Sequence, residues 1–172
     1  MKKAFSFGLI ILICFSFCGC GFLGDVADMA NNDEAVAKVF DLDGISIELT
    51  SDFLRMDFVN EDFDFIVGTE YLTVMGIKVD DDGSGIIDYS VLEFAEQFRS
   101  LLESDEPSEI TVTDGIPTFQ YRSVSDDVDQ TNAVMFYKGS DCFWTVSFIT
   151  NTDVFDGTYD EILKYAKTVK CD

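Results

Sequence analysis

The chain has 172 residues, 33 acidic and 11 basic side chains and no histidine. A net charge of −22 repels phosphate backbones and excludes nucleic acid as a partner. Seventeen phenylalanines and a 47% hydrophobic fraction exclude a disordered chain. Without histidine, the commonest general base and metal ligand is absent, as is the usual activator of a serine or cysteine nucleophile.

The chain opens with Lys2 and Lys3, followed by an uncharged, mostly apolar run from Ala4 to Phe17. That run is shorter than the ~20 residues needed to span a bilayer, but it suits the apolar region of a secretory signal. Gly19 and Cys20 follow. They resemble the lipobox of bacterial lipoproteins, with Gly19 before the cleavage site and Cys20 carrying a diacylglyceryl group. Phe17-Cys18 stands where that motif usually has Leu-Ala. The expectation is a signal peptide over 1–19, then a lipidated tether over 20–36, held in the membrane by its acyl chains. Cleavage would leave nine basic residues against 33 acidic ones, a net charge of −24. Such a domain stands off anionic headgroups, outside the cytoplasmic membrane. The remaining length suits one domain over 37–172.

Lys38 to Leu49 reads as a hairpin. Asp43-Gly44 is the turn, and Ile45, Ile47 and Leu49 alternate with polar residues. Thr50 to Met56 predicts an irregular or 3₁₀ turn. Phe63 to Val79 predicts two strands broken near Gly68.

Asp80 to Val91 resembles the twelve-residue calcium loop of an EF-hand. Asp80, Asp82, Ser84 and Asp88 fall on ligand positions and Gly85 on the sharp turn. The twelfth position, normally a bidentate Glu, is Val91. The preceding segment also reads as strand rather than helix. A strand-to-helix turn is therefore the preferred reading, with Gly83 and Gly85 supplying positive φ and Asp88 or Ser90 capping the helix. Calcium is retained as the alternative.

Val91, Phe94, Ala95, Phe98, Leu101 and Leu102 make one helical stripe, which Ser90 and Glu93 start as a capping box. Pro107 lies past its end. Four strands follow, in Glu109–Asp114, Pro117–Ser125, Asn132–Gly139 and Asp141–Thr150. Gly115-Ile116-Pro117, the stretch 126–130 and Gly139-Ser140-Asp141 separate them. In the last strand, Cys142, Trp144, Val146 and Phe148 are expected to face the core, with Trp144 as packing. A closing helix from Thr158 reads as capped by Thr158 and Glu161, with Lys164, Lys167 and Lys170 near its end. Four strands, helix, four strands, helix predicts an α+β protein with helices packed on an antiparallel sheet.

The hairpin LDGISIELTSDF, the helix YSVLEFAEQF and the stretch from Asp114 to Val169 together resemble the PsbP-like α/β/α sandwich superfamily. The resemblance covers roughly residues 37–170 and rests on element order. It implies a binding or assembly module and carries over no functional residues.

Two further groups bear on chemistry. Asp126, Asp127 and Asp129, or Asp80 to Asp82, could supply paired carboxylates for a hydrolase, but that work needs a carboxyl with a raised pKa in an apolar cleft. Cys142 and Cys171 are an even pair once the leader's cysteines and Cys20 are set aside. A closing helix running back across the Trp144 face returns its end to the start of the last strand. A disulfide between Cys142 and Cys171 is therefore predicted, provided the helix ends near Val169. The rival is two reduced thiols. The functional expectation is a lipid-anchored, extracytoplasmic, non-enzymatic module for a protein or envelope component, without a cofactor. A calcium-responsive module is the alternative, and an acidic hydrolase the less favoured one.

Overall fold

The computed structural model describes residues 36–42, 44–56, 63–102, 106–125 and 128–172. Gly19 and Cys20 lie outside the described residues, as do Asp43, Asp126 and Asp127.

The expected hairpin is present. β1 (Ala37–Asp41) pairs antiparallel with β2 (Ile45–Thr50), and Leu42 N–H donates to Ile45 O across the turn at 2.9 Å. Gly44 adopts φ 101°, a conformation that costs glycine little. Ile45, Ile47 and Leu49 are buried, as their alternation requires.

Seven strands form the main sheet, in the order β3 (Leu54–Arg55), β4 (Phe65–Gly68), β5 (Thr73–Asp80), β9 (Cys142–Asn151), β8 (Val128–Lys138), β7 (Ile116–Ser125), β6 (Thr111–Thr113). Every pairing is antiparallel. The predicted turn at Leu54 is instead the short edge strand β3. The expected separator at Val128–Gln130 lies inside β8, and Ile116 and Pro117 already belong to β7. β4 and β5 pack closely because Gly76 lies under the Phe65 ring. A methyl there would sit 1.9 Å from Phe65 Cε1.

β9 is the middle strand, and both of its faces are buried. The expectation of one core face is corrected by this position. Phe143, Thr145 and Ile149 are buried opposite Cys142, Trp144, Val146 and Phe148. A strand covered on both sides loses its polar alternation.

One helix lies on each side. α1 (Val91–Ser100) covers one face, where Phe94 stacks on Phe143 at 4.3 Å and Phe98 meets Phe136 edge-on at 5.5 Å. Its capping box is formed as predicted: Glu93 N–H donates to Ser90 Oγ, and Ser90 N–H donates to the Glu93 carboxylate. α2 (Phe155–Ala166) and the small sheet cover the other face, sharing a core with Trp144, Val146 and Phe148. α2 starts three residues earlier than predicted, and no side chain caps it. Thr158 Oγ1 donates to Val154 O one turn back, and Glu161 serves other partners. After Ala166 the chain turns and adds β10 (Lys170–Cys171) to the free side of β2.

Candidate binding surface

The acidic loop is built from its first residues. Asp80 ends β5, pairs with Cys142 across the sheet and forms an ion pair with Lys78 at 3.0 Å. The Lys78 ammonium is held above its usual pKa, chiefly by its hydrogen bond to Asp80. Asp81, which the template leaves without a ligand role, closes the loop. Its Oδ1 accepts from Gly83 N–H and Gly85 N–H at 3.1 Å each, and from Ser84 Oγ at 3.3 Å. Gly83 and Gly85 have φ of 87° and 78°, as the turn reading required. Ile86–Asp88 then forms a single 3₁₀ turn, so a strand precedes the loop and a short turn separates it from α1.

Asp80 is tied to Lys78, Ser84 turns to Asp81, and Asp82 is exposed. Among the described residues, no three acidic or thiol side chains converge as a metal would need. Lys138 holds this end of the molecule in place. Its Nζ donates to Ile87 O at 2.6 Å and to Tyr89 O at 2.8 Å. No local pattern revealed Lys138, because its partners lie about fifty residues away. Asp80, Asp81, Ile87, Ser140 and Asp141 together border a shallow, open hollow of about 420 Å³.

Asp129 stands apart from that loop. Arg122 Nε donates to Asp129 Oδ1 at 2.6 Å, a second guanidinium nitrogen donates to Oδ2, and Thr152 Oγ1 adds a bond at 2.8 Å. Arg122 first, then Thr152, holds this carboxyl below the usual carboxylate range. That is the opposite of a general acid's requirement.

A polar cluster at the far end of α2 was not anticipated. Glu161 Oε1 accepts from Tyr165 OH at 2.6 Å and from Tyr71 OH at 3.2 Å. Tyr165 OH also lies 3.3 Å from Thr50 Oγ1. Burial, and then the Glu161 charge, pushes the Tyr71 hydroxyl up to about 12. Glu161 therefore ties α2 to the β4–β5 connection instead of capping its own helix.

Cys142 is buried at the start of β9, and Cys171 is partly exposed in β10; both are unbonded thiols in the structure. Each packs on the Trp144 core. α2 ends at Ala166, three residues before the end near Val169 on which the predicted pairing is conditioned.

No family model matches the chain, and no curated protein matches it. Solved structures share its architecture. The solution structure of cyanobacterial PsbP (CyanoP) from Synechocystis aligns with a TM-score of 0.56 at 13% identity, covering 87% of this chain and all of that one. The chain has the PsbP-like fold. A crystal structure from Bacteroides thetaiotaomicron aligns with a TM-score of 0.53 at 9% identity, over 81% of this chain and 49% of that one. At such identities the likeness concerns fold alone. The PsbP-like fold is nonetheless what the element order implied: an antiparallel sheet between helical layers.

Proposed function

We propose that this chain is a lipoprotein: a PsbP-like module held by Cys20 on the outer face of the cytoplasmic membrane, binding a protein or envelope component without a reaction of its own. The observation that carries this reading is the leader: Lys2-Lys3, the apolar run Ala4–Phe17 and Gly19-Cys20, placed ahead of a chain with the PsbP-like fold. Among the described residues, no helix is long and apolar enough to cross a membrane. A lipid on Cys20 would then supply the membrane affinity, since two acyl chains hold where one is marginal. From Cys20 to Ala37 the chain can reach at most about 60 Å, enough to lift an acidic domain clear of the headgroups. Asp129 lacks the raised pKa that a general acid needs, because Arg122 and then Thr152 lower it.

Expression in a bacterial host followed by detergent phase partition tests the anchor. The processed protein is expected in the detergent phase. Cys20→Ala is expected to leave unprocessed precursor or a protein in the aqueous phase. A processed Cys20→Ala protein that still enters the detergent phase would show the anchor to lie elsewhere.

A further inference from the structure

We propose that Cys142 and Cys171 close into a disulfide that joins the small sheet to the main sheet, a structural staple independent of where the chain resides. The backbone brings the two cysteines together. Asp172 N–H donates to Gly44 O at 3.1 Å, which fixes the end of β10 beside the first hairpin. Asp172 O in turn accepts from Ser140 N–H at 2.9 Å, in the turn that opens β9. Gly139 sits between the two elements. A methyl there would lie 2.9 Å from Cys142 Sγ and 2.6 Å from Asp172 O. Those two atoms therefore lie within about 5.5 Å of each other, the sum of these distances. Cys171 is the residue just before Asp172 and packs on the same core as Cys142; burial first, and then Cys142, raises its thiol pKa.

A second observation concerns Trp144. Its indole Nε1 is buried and makes no hydrogen bond. Cys142 shares its core and its strand with Trp144, two residues away on the same face of β9. Asp80, which pairs with Cys142 across the sheet, its ion-pair partner Lys78, and the adjacent Asp141 are the charged groups around that sulfur. The only tryptophan of the chain thus reports on the proposed bond.

The chemistry is thiol–disulfide exchange with a small-molecule disulfide as oxidant. One Cys171 thiolate sulfur attacks the external disulfide, expelling a thiolate that takes up a proton. Cys142, once deprotonated, attacks the mixed disulfide at Cys171 sulfur and expels the second small thiol. The two protein thiols lose two electrons and two protons, and the external disulfide becomes two thiols. Burial raises both cysteine pKa values, that of Cys171 to about 12, so exchange is slow at neutral pH. Slow exchange suits a bond that, once closed, stays closed.

The full chain is incubated with oxidised glutathione, its remaining thiols are alkylated in denaturant, and it is digested with trypsin without reductant. Cleavage after Lys138, Lys164 and Lys170 places Cys142 in residues 139–164 and Cys171 in residues 171–172. The expected product is that pair linked in one species. Trp144 emission should fall as it forms, because a disulfide quenches indole by accepting an electron, and should recover on reduction. The thermal midpoint should rise by about 10 °C on closing the loop. Cys171→Ser should lose all three effects. Alkylation of both cysteines, glutathione on each, or either one linked to the leader's cysteines would overturn the proposal.

Discussion

Tyr137 reaches from β8 into the Trp144 core, and its OH donates to Ala166 O at 2.9 Å, at the last residue of α2. Burial, and then the nearby Cys171, pushes its hydroxyl pKa far above the usual value of a tyrosine. Folded Tyr137 therefore keeps its proton where an unfolded one would lose it. That contribution to stability is complete below pH 10, near the unfolded pKa, and is lost as pH rises toward the folded value. Tyr71, Tyr165 and the two thiols shift in the same direction and add to the effect. The urea midpoint is expected to fall between pH 9 and pH 11. Tyr137→Phe should cost about 0.5–1.5 kcal/mol at pH 8 by removing the hydrogen bond, and should make the alkaline decline shallower. A decline as steep as in the unsubstituted protein would show that Tyr137 does not titrate within the unfolding transition. Nothing local betrayed this tyrosine. YKGS reads as the end of a strand, and the carbonyl it serves lies 29 residues later.

The loop between β5 and α1 resembles a calcium site in its letters, while its hydrogen bonds are those of a turn. Millimolar calcium is expected to move the thermal midpoint by less than about 1 °C, since stabilisation by a ligand grows only as RT ln(1 + [L]/Kd). A clear rise that vanishes in Asp82→Ala would establish the calcium alternative. Asp81→Ala should destabilise with or without calcium, because three donors lose their acceptor. Elements of this kind show how much of the molecule was legible. Ser90 and Glu93 were readable because a capping box is satisfied entirely within four residues. Thr158 and Glu161 carry the same spacing, but Thr158 bonds back to Val154 and Glu161 faces two tyrosines. There, side-chain partners from another element overrode the local pattern. β3 and β10 span two residues each and exist only through pairing with β4 and β2, so no periodicity could announce them. The loop's framework was legible from Gly83 and Gly85, whereas the anchoring of its far end by Lys138 was not.

At the scale of the whole molecule, charge opposes compaction. The chain carries −22, and the four ion pairs among the described residues offset few of its acids. Self-repulsion of that kind destabilises the folded state and is screened over about 10 Å at 0.1 M salt. Raising sodium chloride from 10 to 300 mM is expected to increase the thermal midpoint, with most of the rise below 150 mM. A midpoint independent of salt would mean that the acids are too widely spaced to matter. The fold class was legible at this scale because the change from period two to period 3.6 marks both helices. The burial of β9 on both sides was not, since it depends on a strand order that the sequence does not display.

That strand order also has a consequence in time. β9 is the last long strand to be synthesised, yet it separates β5 from β8 and supplies the floor of both cores. Until Cys142–Asn151 is available, β3–β4–β5 and β6–β7–β8 are two unjoined sheets, each with a bare edge and two unfinished apolar faces. Such edges pair readily with other chains. A nascent chain is therefore most exposed to aggregation in the interval between making β8 and placing β9. In that interval each new residue adds apolar surface without the means to bury it. Insertion of β9 between the waiting edges then pairs it with β5 on one side and with β8 on the other, closes both cores together and makes assembly of the two halves a single cooperative event.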